Sequence, residues 1–348
     1  MKTVYVGLSG GVDSAVSAYL LKQQKYNVVG VYMKNWSRDI GGHTCPWKQD
    51  LVSARLVAAH LQIPLKIFDF EQEYFESIAK YMIDTYKSGR TPNPDIMCNQ
   101  KIKFDLFYKK CIADEADYIA TGHYAKIDSG RLTIATDDSK DQTYFLYRIN
   151  HDIADKILFP LSNLSKKEVR AIAKKIKLPN CDRPDSQGLC FVGNIPMRDF
   201  LSEFIKPQKG KIVDEHHKEL AEHNGAFYYT IGQRHGLGIG GGKPYFVYQI
   251  DTKKNIVMVT SDENSPLLNK KEFTITDCKW WQGMETGDLR LETRVRYRSK
   301  LKRCTLTKIS KDKFKIVLDK PERAIAPGQS AVFYDGDVVV GGGIIELS

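Results

Sequence analysis

Residues 3–8 (TVYVGL) form a short β-forming run that passes through Ser9-Gly10-Gly11-Val12-Asp13-Ser14 into residues 14–21 (SAVSAYLL), whose apolar positions recur at helical spacing. A strand that turns straight into a helix constrains the fold more than any other feature here. The next strand must return parallel to the first, with the helix laid over the sheet. The pattern continues with strand 27–33, helix 49–61, strand 65–70, helices 73–87 and 100–115, and strand 118–121. This alternation predicts an α/β fold, a doubly wound parallel sheet of Rossmann-like type. Such sheets bind ligands at the carboxyl ends of their strands, where the first loop lies and where Gly122-His123-Tyr124 also falls.

Ser165 and Glu168 open a further helix with a capping-box spacing. Beyond residues 209–211 the helical period gives way to short alternating runs, 226–231, 245–250, 256–260 and 273–280 among them, separated by turn residues. Two small all-β domains, the last a β-barrel, are therefore expected after the sheet. The boundaries expected are 1–208, 209–270 and 271–348.

The loop is built for an anion. Gly10 and Gly11 open backbone conformations closed to other residues, and the helix behind them presents unpaired N–H groups with partial positive charge. It lacks the lysine of a Walker loop and the spacing of a dinucleotide fingerprint. A strand–turn–helix connection using glycine for tightness alone is the plain alternative. The net charge of +10 favours a polyanionic partner such as nucleic acid. No apolar run is long enough to span a bilayer and no cleavable signal precedes the first strand, so a cytoplasmic protein with no membrane partner is expected. Seven cysteines contain no CxxC pair, which argues against a zinc or iron–sulfur site.

Among the cysteines, Cys111 follows Phe104, Phe107 and Tyr108 at helical spacing and reads as core, as do Cys278 and Cys304 in alternating runs, while Cys45 and Cys181 lie in loops. Cys98 and Cys190 keep different company. Cys98 ends Thr91-Pro92-Asn93-Pro94-Asp95-Ile96-Met97-Cys98, ahead of a helix carrying Lys101 and Lys103, a setting that lowers a thiol pKa. Asp95 stands three residues earlier as a proton acceptor. Cys190 sits in Asp185-Ser186-Gln187-Gly188-Leu189-Cys190-Phe191, a polar turn that presents a thiol.

SGGVDS resembles the loop of the PP-loop ATP pyrophosphatases. Taken with TPNPDIMCNQKIKF, TGHYA, KDQTYFLY, DSQGLCFVG, TIGQRHGLGIGG, RVRYR and APGQSAVFYDGDVVVGGGII in that order, the chain is similar from end to end to the bacterial tRNA-specific 2-thiouridylase (MnmA) family. Gln187 and Leu189 depart from the Thr and Ile of many relatives, but the glycine and cysteine remain. The resemblance implies a tRNA-uridine 2-sulfurtransferase that adenylates the C2 oxygen of a wobble uridine and replaces it with sulfur from a cysteine persulfide, releasing AMP and pyrophosphate. ATP, with Mg²⁺, would be held by Gly7, Leu8, Ser9, Gly10, Gly11, Val12, Asp13 and Ser14 together with Met33 and Gly122. Cys190 would carry the persulfide, delivered by a cysteine desulfurase or sulfur-relay protein. Cys98 would release or resolve it, closing a Cys98–Cys190 disulfide, with Asp95 as acid or base. Asn93, Pro94 and Asp95 would meet the target base. His123, Lys140, Asp141, Gln142, Tyr297, Arg298 and Gln329 would contact tRNA.

One RNA signal stands in the residues themselves. In Arg294-Val295-Arg296-Tyr297-Arg298-Ser299-Lys300-Leu301-Lys302 every second residue is basic, so a strand here would carry five cations on one face. That predicts a rail for the RNA backbone. A solvated strand face is the bland alternative. The rival functions are a PP-loop ligase or amidotransferase acting on a small acid, and a non-catalytic RNA-binding protein. The first leaves Cys98, Cys190 and the basic row unexplained, and intact Asp13 and Ser14 argue against the second.

Overall fold

The computed structural model describes residues 1–185, 195–240, 242–281 and 288–347. Its elements run β1 (Thr3–Gly7), α1 (Val12–Gln23), β2 (Asn27–Lys34), α2 (Trp47–Leu61), β3 (Leu65–Asp69), α3 (Glu71–Tyr74), a π-helical segment Phe75–Ala79, and α4 (Lys80–Lys87). Next come α5 (Pro94–Cys98), a second π segment Asn99–Leu106, α6 (Phe107–Ala113), β4 (Tyr118–Ala120), the hairpin β5 (Lys126–Asp128) and β6 (Arg131–Thr133), β7 (Ile157–Leu158), α7 (Lys166–Lys175) and α8 (Met197–Ser202). The remainder is β-rich: β8 (Gly210–Val213), β9 (Glu219–His223), β10 (Phe246–Asp251), β11 (Ile256–Thr260), β12 (Asn269–Trp280), β13 (Leu289–Arg294), β14 (Lys302–Ser310), β15 (Lys313–Arg323), β16 (Ser330–Asp335) and β17 (Val338–Glu346).

Two compact units result: Met1–Ile78 with Pro94–Ile195 and Asp337–Val339, and Ala79–Asn93 with Pro196–Gly336 and Val340–Ser348. The first holds a five-stranded sheet in the order β3-β2-β1-β4-β7, every pair parallel. Val4, Val6 and Leu8 alternate along β1 onto one face, where they join Val16 of α1, Ala54 and Val57 of α2, and Val169 and Ala173 of α7 in one buried cluster. Tyr5 points the other way, its hydroxyl on the Asp114 carboxylate just past α6. Both faces of β1 are thus covered, which is why the strand reads as a continuous apolar run rather than an alternating one. The expected doubly wound sheet is present.

The second unit contains a four-stranded sheet in the order β10-β11-β8-β9. It also contains the order β12-β15-β14-β13-β16-β17, closed into a six-stranded barrel by the β12–β17 pairing. Phe273, Ile275, Leu306, Ile316, Leu318, Phe333 and Ile345 fill the barrel. Cys111 and Cys304 are fully buried, and burial pushes the Cys304 thiol up to about 12, so the core reading of both holds.

The structure corrects three local readings. Residues 226–231 are not a strand: Ala226–Tyr228 is a 3-10 turn, entered through Gly225 at φ +147, against which the Phe227 ring folds back. The helix expected from residue 100 begins at Pro94, because proline at the first helical position loses no hydrogen bond and has its φ already set. Cys98 therefore lies inside a helical stretch rather than ahead of one. The basic row is no strand either. β13 ends at Arg294, β14 begins at Lys302, and the chain between turns, with Arg298 at φ +62 and Ser299 N–H bonded to the Arg296 carbonyl at 3.2 Å. Arg296 reaches the buried Glu322 at 3.0 Å and Lys302 grips the same carboxylate, so two of the five cations are paired with one buried charge.

Candidate active site at the carboxyl edge of the parallel sheet

The loop after β1 is tied by its own hydroxyls. Ser14 Oγ donates to the Gly11 carbonyl at 3.1 Å and lies 3.4 Å from Ser9 Oγ, while Gly11 N–H reaches Ser9 Oγ at 3.3 Å. Gly11 is the N-cap of α1 and no side chain caps that end, which leaves the first-turn N–H groups open to an anion. Two of the three glycines here, Gly122 and Gly10, are required by space, because backbone stands where their Cβ would fall; at Gly7 only the flexible end of Met33 does. A Cβ on Gly122 would stand 2.7 Å from Ser14 N, one on Gly10 would stand 2.6 Å from the Asp50 carbonyl, and one on Gly7 would stand 3.0 Å from Met33 Cε. Met33, near the end of β2, and Gly122, just past β4, are therefore gathered onto the loop.

A charge cluster stands at the same edge. Asp13 accepts from Lys166 Nζ at 2.7 and 2.8 Å and from the Tyr124 hydroxyl at 3.0 Å. Lys166, whose side chain is only 15% exposed, also meets Asp185 at 2.7 Å. Asp185 is further held by Lys140 at 3.1 Å and Arg170 at 2.6 Å. Burial works against the charged form of Asp185, but the three cations win and hold its pKa far below the ordinary carboxylate value. Burial, then Asp13, pushes the Tyr124 phenol up, so it remains a hydrogen-bond donor.

The remaining expected residues occupy varied settings. Asp95 and Cys98 lie three apart on α5 and share a helical face, Asp95 half-buried and Cys98 fully buried. Cys190 lies outside the described residues. Asp141 is buried, accepting from Thr143 N–H at 3.2 Å and Thr143 Oγ1 at 2.9 Å, and the Gln142 side chain accepts from Tyr124 N–H at 2.9 Å. In the second unit, Asn93 reaches Gln329 at 3.5 Å, and Gln329 donates to the carbonyls of Thr91 and Pro92 at 3.1 and 2.9 Å. Arg298 is exposed, its guanidinium 5.1 Å from the Tyr297 ring centre.

His123 packs between the rings of Phe104 and Phe159, its Nδ1 2.7 Å from Thr121 Oγ1. Burial, then the charge of Lys103, holds its pKa well below the ordinary histidine value. The unfolded chain, with histidine near 6.5, therefore binds the proton first as pH falls. This contribution to stability is complete above about pH 6.5 and is lost below it, at up to about 1.4 kcal/mol per pH unit. Urea unfolding of the wild type should steepen accordingly between about pH 7 and 5, and His123→Gln should remove that share of the slope; an unchanged slope would place the charged form of His123 in the fold.

Lys166, Arg170, Ser53, Asn180 and Arg183 escape the sequence reading, and Tyr124, which it places at this edge, carries no role in it. Only Lys166 left a signal: a cation on the first residue of α7 opposes the helix dipole, and such a position needs a counter-charge.

Three family models match: the tRNA methyl transferase HUP domain over residues 2–194, the tRNA methyl transferase PRC-barrel domain over 198–261, and the aminomethyltransferase beta-barrel domain over 270–345. The tRNA-specific 2-thiouridylase MnmA of Francisella philomiragia subsp. philomiragia is 45% identical over 353 residues, covering 98% of each chain. Its counterpart in Francisella tularensis subsp. novicida is 44% identical over 355 residues, covering 99% of each. A solved 4-thiouridine synthetase–RNA complex with bound ATP aligns with 56% of this chain and 46% of its own, at 18% identity and a TM-score of 0.37.

Proposed function

This chain belongs to the tRNA-specific 2-thiouridylase family, and from that premise we propose how its residues divide the work. The enzyme activates the C2 oxygen of a wobble uridine in tRNA with ATP and replaces it with sulfur, giving 2-thiouridine, AMP and pyrophosphate. Oxygen on C2 is a poor leaving group; as part of an adenylate it leaves with AMP.

The observation that carries the assignment of roles is the loop from Gly7 to Ser14, with its uncapped helix end and glycine-only approach from Gly122. The first-turn N–H groups of α1 and the two serine hydroxyls receive the β and γ phosphates, Met33 and Gly122 border the nucleotide, and the α-phosphorus stays open to the uridine oxygen. Mg²⁺ on the triphosphate would neutralise phosphate charge, and Asp13, whose oxygens accept from Lys166 and Tyr124, would be the loop carboxylate beside it. Cys190 then carries the persulfide whose terminal sulfur attacks C2, and AMP departs as the C–S bond forms. Cys98 attacks the Cys190 sulfur to free the product, leaving a Cys98–Cys190 disulfide that an external thiol reduces. Asp95, on the helical face of Cys98, moves the proton. Asn93, Pro94 and Asp95 meet the extruded base, and His123, Lys140, Asp141, Gln142, Tyr297, Arg298 and Gln329 hold the RNA around it. A persulfide-bearing cysteine desulfurase or relay protein supplies sulfur. A cytoplasmic setting fits a tRNA substrate; among the described residues no helix is long and apolar enough to cross a membrane.

With unmodified tRNA present, the enzyme should release pyrophosphate from ATP even before sulfur is supplied, with AMP held on the tRNA as the adenylate until sulfur displaces it. Release that proceeds equally well without tRNA, or with a small carboxylic acid in its place, would transfer the loop to the ligase reading.

A further inference from the structure

The geometry points to a lock on the Gly10–Gly11 peptide, formed by Ser53, Asn180 and Arg183, that sets the phosphate loop before the nucleotide arrives. The Gly10 carbonyl accepts from Ser53 Oγ at 2.8 Å, Asn180 Nδ2 at 2.9 Å and Arg183 Nη1 at 3.3 Å. Ser53 comes from α2; the other two come from the turn that follows α7. Three donors thus converge on an oxygen with two lone pairs. Asn180 is buried, and among the described residues its Oδ1 has no hydrogen-bond partner, so its amide is held by the bond to Gly10. Arg183 is steadied by the Asp50 carboxylate, and the Asp50 carbonyl closes the cradle where a Cβ on Gly10 would fall.

A trans peptide is planar, so its carbonyl and the following N–H point in opposite directions. Holding the Gly10 oxygen inward therefore aims Gly11 N–H outward, toward the exposed Ser9 at the uncapped start of α1. A peptide flanked by two glycines is also the easiest to flip. A flip would carry Gly11 from φ −81 to the positive side, which glycine alone enters freely. It would turn a carbonyl dipole, negative end first, onto the place where phosphate oxygens sit. The three donors oppose that flip, so the loop is paid for in advance and binds anions without reorganising. All three are positioning residues that act through Gly10.

This inference rests on the reading that the loop binds the triphosphate of ATP, and the test separates the two. Affinities for ATP and for adenosine are measured by calorimetry on the full chain, for the wild type, Asn180→Asp and Ser53→Ala. Asn180→Asp keeps the shape but sets a carboxylate against the carbonyl; Ser53→Ala removes one donor while placing a better helix former in α2. ATP affinity should fall about tenfold or more in Asn180→Asp and severalfold in Ser53→Ala, with adenosine affinity unchanged in both. An unaltered ATP-to-adenosine ratio in the folded variants, or a parallel loss of both ligands, would overturn the lock. A wild-type chain that binds ATP no better than adenosine would instead refute the triphosphate reading itself.

Discussion

Lys166→Met should lower ATP-dependent turnover by about 100-fold or more, the scale seen when a preorganised electrostatic group is removed from an active site. Lys166 bridges Asp13 and Asp185, with its ammonium bonded to both Asp13 oxygens at 2.7 and 2.8 Å and to Asp185 at 2.7 Å. Methionine keeps the stem packed and removes only the charge. Asp185 retains Lys140 and Arg170, but among the described residues the Asp13 carboxylate is left with the Tyr124 hydroxyl. The loop carboxylate then loses its anchor at the point where the triphosphate must fit. Both carboxylates are about a third exposed, so the stability loss is moderate, about 1–2 kcal/mol, and far smaller than the kinetic one. Steady-state pyrophosphate release with tRNA present, set beside urea unfolding, separates the two effects. A variant that unfolds earlier but turns over normally would make Lys166 a structural cation only.

Cys190→Ser should abolish sulfur transfer while leaving adenylation intact. Serine preserves the shape of the side chain but can hold no persulfide, and its hydroxyl is a far weaker nucleophile than a thiolate at neutral pH. The expected signature is a split: pyrophosphate and adenylated tRNA still form, and no 2-thiouridine accumulates. Cys98→Ser should differ from it, because the persulfide on Cys190 still attacks the activated C2 and is then left as a disulfide link between Cys190 and the tRNA. Any thiolated product from Cys190→Ser would remove Cys190 as the sulfur carrier.

The parts of the site legible in the sequence were those whose chemistry is local. Ser9, Gly10, Gly11, Asp13 and Ser14 form their site within one turn of chain, and the hydroxyl–backbone bonds of Ser14 and Ser9 are of that short-range kind. The capping box of Ser165 and Glu168 was readable for the same reason, and both its bonds are present. The supporting shell was not readable. Asn180, Arg183 and Ser53 reach Gly10 only because the parallel sheet brings α2 and the turn after α7 back to the first loop, and nothing in their own neighbourhoods marks them.

The basic row failed for a different physical reason. Alternation of charge was read as a strand face, but alternation does not by itself choose extended backbone. A buried acceptor at Glu322 draws Arg296 and Lys302 together across a turn, while Val295 sinks into the barrel core. The run 226–231 went the same way, because Gly225 supplied a conformation that ends alternation before a ladder can form. In the basic row a tertiary contact outweighed a local period; at 226–231 the backbone of one glycine did.

The most direct measurement combines purified enzyme, unmodified tRNA, ATP, Mg²⁺ and a persulfide source, and reads the digested nucleosides by mass spectrometry. The account predicts a sulfur-for-oxygen gain on the wobble uridine that disappears when either ATP is omitted or Cys190 is replaced. Uridine left unchanged under the complete mixture, or sulfur gained without ATP, would contradict it.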